Sequence, residues 1–208
     1  MNYYISDLHL FHKNVTGEDS NFDGRPFKTL EEMHNTIKEN WNNTITNADH
    51  VYILGDLSWK ENEDAIQFVS TLRGNKHLVL GNHDKANDQR YKQLFVEVVN
   101  YKEVKDVVDG KEYHVVMSHF PIAFWNHQHH FRRDGGEHKV WAIHLYAHLH
   151  SSKEENYFQE FIQKIKSGLP VLRLFVVQNI NYCLLRNNIS LVHSHNQLHV
   201  PILNILLL

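Results

Sequence analysis

The 208-residue chain is nearly devoid of cysteine, with Cys183 standing alone. One thiol closes no internal disulfide and builds no Cys-based zinc site, and it fits a reducing compartment, so a cytoplasmic location is expected. An excess of one charge is also missing. With 21 basic and 24 acidic residues the formal charge is -3, and no global positive field draws in nucleic acid or an anionic membrane. The opening Met1-Asn2-Tyr3-Tyr4-Ile5-Ser6-Asp7 has no basic n-region and no long apolar run, so no signal peptide is read there. Apolar stretches elsewhere fall short of the roughly 20 residues of a membrane span, so no membrane partner is expected. Internal repeats and low-complexity linkers are absent too. At 42% hydrophobic and 22% charged residues, the length suffices for one sizeable core. A single domain over 1–208 is expected, with a tail from about residue 179 that shows no clean period.

What the chain does have in quantity is histidine, 18 residues of it. The ring carries two polar nitrogens that need partners when buried, so histidine is seldom used in bulk for packing and the excess invites a metal hypothesis.

Periodicity gives the order of elements. Residues 3–6 read as a short buried strand. Thr29-Leu30-Glu31-Glu32 has a capping-box pattern, and Leu30, Met33, Ile37 and Trp41 follow at helical spacing, which predicts a helix over 29–44. Strands are expected over 50–54 and 77–80, with a helix over 61–72 between them. Asp109-Gly110 separates two strand-like runs, 101–108 and 111–117, and predicts a two-residue hairpin. A strand is expected over 142–146, and another over 171–177. An amphipathic helix over 154–167 should turn Phe158, Phe161, Ile162 and Ile165 inward and stop at Gly168. Residues 126–139, rich in His, Arg and Gly, read as a surface loop, and the run Asn126, His127, His129, His130, Arg132 and Arg133 within it is expected to overhang whatever site the flanking segments build.

Five strand ends carry polar clusters: Asp7-Leu8-His9, Gly55-Asp56, Gly81-Asn82-His83-Asp84, His119, and His148-Leu149-His150. Asp7 and His9 would fall on one side of an extended segment, because strand side chains alternate with period two. Each cluster alone is equally well read as a cap, a turn or a surface histidine. All five together are improbable as accident.

In this order the clusters resemble the signature of the calcineurin-like metallophosphoesterases: D-X-H, G-D, G-N-H-D/E, H and G-H-X-H. Ala147 stands where that family usually has glycine, a small residue that is not a ligand. His12-Lys13-Asn14, Arg25-Pro26-Phe27 and Glu31-Glu32-Met33 are similar to segments of the short bacterial and phage-type members. The resemblance implies an α/β (α+β) fold, a four-layer αββα sandwich in which two mixed sheets lie face to face between helices, with metals at the strand ends.

It also implies roles. Asp7, His9 and His150 would hold one metal, Asn82, His119 and His148 the second, and Asp56 would bridge them. The nitrogen and oxygen donors suit two divalent or trivalent ions, with manganese the first expectation and iron or zinc the alternatives. Such a pair, about 3.5–4 Å apart, would activate a bridging hydroxide as nucleophile for phosphoester hydrolysis, as phosphodiesterase or phosphatase. His83 would give a proton to the leaving alkoxide and Asp84 would orient its ring. His12 and Asn14 are candidates for substrate contact. The expected substrate is a small phosphoester or nucleotide. A silent interaction scaffold and a nuclease for single-stranded nucleic acid are the competing readings. The first is disfavoured because every ligand position and His83 are present. The second is disfavoured because no basic module is appended.

Overall fold

The structure is a computed structural model that describes residues 1–17, 25–108, 110–128, 131–134, 137–150, 152–166 and 174–176. The segment 18–24, the segment 167–173 with the expected stop at Gly168, and the tail from 177 onward with Cys183 lie outside the described residues.

Two four-stranded sheets form the middle of the molecule. The first has the order β1-β2-β3-β4, from Asn2–Ile5, His50–Ile53, Asn75–Val79 and Glu97–Val99. All its pairings are parallel, so the mixing expected of both sheets is confined to the second. That sheet has the order β10-β9-β6-β5, built from Lys102–Val108 (β5), Lys111–Met117 (β6), Ala142–Tyr146 (β9) and Leu174–Val176 (β10). Only the β5–β6 pair is antiparallel.

The β5–β6 hairpin has the expected register, with Val108 paired to Lys111 and Gly110 at a φ of 72°. A left-handed backbone there is what a two-residue hairpin turn requires. The remaining strands, β7 (Phe131–Asp134) and β8 (Glu137–Val140), pair with each other in a separate ribbon. Part of the segment expected as loop is therefore a hairpin.

Alternation within the strands divides the chain into layers. In the first sheet Ile5, Val51, Ile53 and Leu78 face one way, onto Met33, Ile37 and Trp41 of α1 (Leu30–Thr44) and Ala65 and Val69 of α2 (Glu63–Ser70). Tyr4, Tyr52, Leu54 and Val79 face the other way, onto Tyr113, Val115, Met117, Ile143 and Leu145 of the second sheet. On that sheet's outer face Val116 meets Trp125 and Ile165 of α4 (Lys153–Lys166). The order helix, sheet, sheet, helix is the expected four-layer sandwich.

The start of α1 is capped as its sequence predicts, and α2, which begins two residues later than expected, has a cap of its own. The Thr29 hydroxyl accepts the Glu32 N–H at 3.1 Å and the Asn62 side chain accepts that of Ala65 at 3.2 Å, satisfying otherwise orphaned donors. One prediction for α4 fails. Phe161 is exposed, while Glu155 turns inward and accepts the Tyr146 hydroxyl at 2.9 Å. A buried acceptor for that hydroxyl displaced the simple apolar stripe. A short helix α3, Gln89–Lys92, leads into β4. Among the described residues no helix is long and apolar enough to cross a membrane.

Candidate metal centre

The parallel strands β1, β2, β3, β6 and β9 end on the same side of the sandwich, and the chain there continues into loops that tie to one another. The N–H groups of Asp7 and His9 donate to the carbonyls of Gly55 and Asp56 at 3.0 and 2.9 Å, and that of Ala147 donates to His119 at 2.9 Å. All seven expected ligands lie in these loops.

They form two groups. Asp7, His9 and His150 offer ligand atoms within 4.8 Å of one another, as do Asp56, His119 and His148. Asn82 joins the second group, its Oδ1 standing 3.0 Å from His119 Nε2. Asp56 stands between the groups, with Oδ2 3.9 Å from His9 Nε2 and 3.6 Å from His119 Nε2.

The protonation pattern suits cations. His119 Nδ1 lies 2.8 Å from the Leu54 carbonyl. A carbonyl only accepts, so Nδ1 carries the hydrogen and the Nε2 lone pair faces the site. Burial, then the nearby Arg25 and the other imidazoles, lowers the His9 pKa to about 2. Burial lowers those of His119 and His148 also. Neutral imidazoles beside two buried carboxylates are a donor set for a metal, and nitrogen and oxygen donors without thiolate fit manganese, iron or zinc alike.

The backbone is unusual at these positions. Asp7, His9, Asp56, His148 and His150 all have positive φ, between 45° and 74°. The Asp7/His9 and His148/His150 pairs are therefore not brought together by an extended segment. They sit on alternate left-handed residues, a conformation costing roughly 1–3 kcal/mol each outside glycine. That strain is held by the surroundings. Arg25, buried, donates to the Asp7 and Leu8 carbonyls at 2.7 and 2.8 Å, and His34 Nε2 accepts the N–H of Phe11 at 3.1 Å.

Two glycines let the loops close on each other. A Cβ on Gly55, whose φ is 88°, would lie 2.5 Å from His119 Nδ1, and one on Gly81 would overlap the Asp56 carboxylate.

Asp84 does not take the role expected of it. Its Oδ2 accepts the N–H groups of Asp56 and Gly81 at 2.7 and 2.9 Å, and its Oδ1 accepts that of Leu57 at 3.1 Å. The carboxylate pins the second and third ligand loops together and makes no hydrogen bond to the His83 ring. Burial pushes its carboxyl up to about 6 against the pull of those donors.

His83 is placed by other contacts. Its N–H donates to Asp56 Oδ1 at 2.9 Å, its Nε2 is 3.9 Å from Asp56 Oδ2, and its ring lies 4.6 Å from that of Trp59. The side chain is 36% exposed, enough to meet a substrate. His12 packs edge-on against Trp59 at 4.2 Å and beside His9 at 5.9 Å, so it borders the centre. Asn14 is exposed on the 3-10 turn Lys13–Val15.

Asn126 and His127 do not overhang the site. Asn126 donates to Glu103 and His127 packs on His114 and Trp141. His129 and His130 lie outside the described residues, and Arg132 and Arg133 are in β7. Sequence reasoning did not single out Trp59 and Phe120, 46% and 49% exposed. Phe120 flanks His148 at 4.6 Å as Trp59 flanks His83. Large exposed aromatics beside a histidine motif were the available signal.

Residues 3–197 match the calcineurin-like phosphoesterase family. The chain belongs to that family. It is 38% identical over 89 residues to an uncharacterized protein of Methanocaldococcus jannaschii, covering 42% of this chain and 48% of that one. It is 30% identical over 134 residues to the Gene 66 protein of Mycobacterium phage D29, covering 58% of this chain and 64% of that one. The matched segments thus span about half to just under two thirds of these relatives. A solved protein of unknown function from Aquifex aeolicus is 21% identical with a TM-score of 0.48, covering 86% of this chain and 89% of that one. Within the metallophosphoesterase fold, the two clusters give this family member a candidate metal-binding site and the potential of a hydrolase.

Proposed function

We propose that the protein is a metal-dependent phosphoester hydrolase acting on a small phosphoester or nucleotide, with Asp7, His9, Asp56 and His150 holding one cation and Asp56, Asn82, His119 and His148 the other. Manganese is the first expectation for both positions, with iron or zinc as alternatives. The observation that carries this reading is Asp56 Oδ2, which lies 3.9 Å from a histidine of one cluster and 3.6 Å from a histidine of the other. Held by these residues, two cations would supply the means to acidify water and to neutralise charge on the phosphoryl oxygens.

The chain's own residues do the rest. The loop contacts of Asp84 and Arg25 hold the ligands in place before substrate arrives, so little reorganisation is needed at the reacting centre. His83 stands at the open side of the Asp56 carboxylate and gives a proton to the leaving oxygen as the ester bond breaks. Contact with Asp56 and Trp59, not with Asp84, fixes its position. His12 is adjacent and orients the departing group, and Asn14 is a candidate contact farther along the same turn.

The test is metal analysis of the purified protein, then a panel of phosphomonoesters, phosphodiesters and nucleotides with Mn²⁺ added. Two ions per chain with hydrolysis of at least one class is expected. Two bound ions and no hydrolysis would mean a scaffold, and cleavage of labelled single-stranded DNA or RNA in preference to small esters would mean a nuclease.

A further inference from the structure

A third group of metal-type donors lies away from the dinuclear centre. Glu103 of β5, His114 of β6 and His127 of the following loop offer ligand atoms within 4.8 Å of one another. Glu103 and His114 project from the outer face of the second sheet, the face of Val116, because they are two residues or one cross-strand step from it. His114 precedes His119 by five residues, so at about 3.3 Å per strand residue the two centres are on the order of 15 Å apart.

Several features make this more than a surface histidine pair. Glu103 Oε2 and His114 Nε2 are 2.7 Å apart, and the His114 and His127 rings meet edge-on at 4.5 Å. The carboxylate is fixed from behind: the Tyr101 hydroxyl donates to it at 2.6 Å, and Asn126 Nδ2 reaches both its oxygens at 3.1 and 3.2 Å. Metal-binding carboxylates are commonly braced in this way. Trp141 stacks on His114 at 5.2 Å and fixes the plane of that ring. His127 has a φ of 62°, the left-handed backbone also found at five of the dinuclear ligands.

We infer that Glu103, His114 and His127 form a third, mononuclear site that binds Zn²⁺ and staples the loop after His119 to the β5–β6 hairpin. Two imidazoles and one carboxylate are a familiar zinc donor set, leaving a fourth position for water. Tetrahedral donors about 2.0–2.1 Å from the ion stand about 3.3 Å apart, so Glu103 and His114 need to separate by only about 0.6 Å.

Counting ions by difference tests this. Chelator-stripped protein and its His127→Ala and Glu103→Gln variants are equilibrated with Zn²⁺, dialysed and analysed. Each variant is checked for folding by circular dichroism. The wild-type chain should hold one more zinc than either variant, and a Co²⁺ titration should show an absorption component that both variants lose, with at least a tenfold weaker affinity for that ion. His127 lies in a loop, so its variant is the one expected to fold without difficulty. Equal zinc content in all three proteins, whether two ions or more, would overturn the inference. The comparison decides it even if the dinuclear centre takes up fewer ions than proposed, since that centre is the same in every sample.

Discussion

His9 Nε2 and His150 Nε2 face each other at 3.2 Å. They come from loops 141 residues apart in the chain, and with Asp7 they converge on a volume suited to one cation. Metal binding and folding are therefore linked. Ions bound only to the folded chain add about 2.7 kcal/mol at a hundredfold excess over Kd. In a chain of this size that corresponds to about 5–10 °C in Tm. Calorimetry with and without a chelator should show that loss, and Mn²⁺ should restore it.

His83 and Asp84 are neighbours with separable duties. His83→Ala should lower turnover by roughly 10² to 10⁴ while leaving bound metal almost unchanged, the range for a general acid. Steady-state kinetics beside metal analysis reads both. Collapse of the metal content would place His83 among the ligands instead.

Asp84→Asn should behave in the opposite way. The amide replaces one acceptor oxygen with a donor facing a backbone N–H, and an unsatisfied buried donor costs about 1–3 kcal/mol. Denaturant unfolding should register a loss of about 2 kcal/mol, and metal content should fall with it. Wild-type stability paired with a shifted pH–rate profile would return Asp84 to the role of orienting His83.

Gly81→Ala should remove metal without touching a ligand. Its φ is not in the left-handed region, so alanine is excluded by space alone: the added methyl would meet the Asp56 carboxylate and N–H. Bound metal and activity should drop together, while Gly110→Asn should spare both, because asparagine enters the left-handed region that the φ of 72° there requires and its Cβ would meet nothing within 4 Å.

A pH effect is expected from His144, which lies in β9 (Ala142–Tyr146) and belongs to none of the ligand clusters. Its Nδ1 donates to the Val116 carbonyl at 3.2 Å and its Nε2 accepts the Ile122 N–H at 3.1 Å, and burial lowers its pKa from 6.5 to about 4. The depressed value means the unfolded chain binds the proton first. Stability is then fully present above about pH 6.5, declines as pH falls, and flattens below about 4, a change of about 3 kcal/mol. Urea unfolding of chelated protein across this window should give a steeper slope than in His144→Gln, since the other histidines titrate alike in both.

Much of the architecture was legible because apolar runs that end abruptly in Asp, Asn and His are visible without knowing the fold. The layers followed from strand alternation, and α1 from Leu30, Met33, Ile37 and Trp41. The hairpin at β7–β8 was missed because Phe131-Arg132-Arg133-Asp134 and Glu137-His138-Lys139-Val140 lack apolar alternation; a ribbon paired only with itself has less need of it. Gly135-Gly136, between them in sequence, was the turn signal. Strand β4 went unread because three half-buried residues at a sheet edge carry almost no pattern. At the site, residue identities were legible but backbone conformation was not. Nothing in Asp-Leu-His distinguishes an extended segment from two left-handed residues, and nothing in the local sequence tells Asp84 to serve loops rather than its neighbour. Arg25 stood out only as part of a motif, since its partners are carbonyls and any residue has one.

The left-handed residues at Asp7, His9, Asp56, His148 and His150 also limit how this centre can change over generations. A library randomising these codons would be sieved by conformation before chemistry, because valine, isoleucine and threonine are nearly barred from that region whereas asparagine, aspartate, histidine and glycine enter it more readily. The tolerated alternatives are themselves mostly oxygen or nitrogen donors. Drift at these codons should therefore alter which metal is preferred well before it abolishes metal binding.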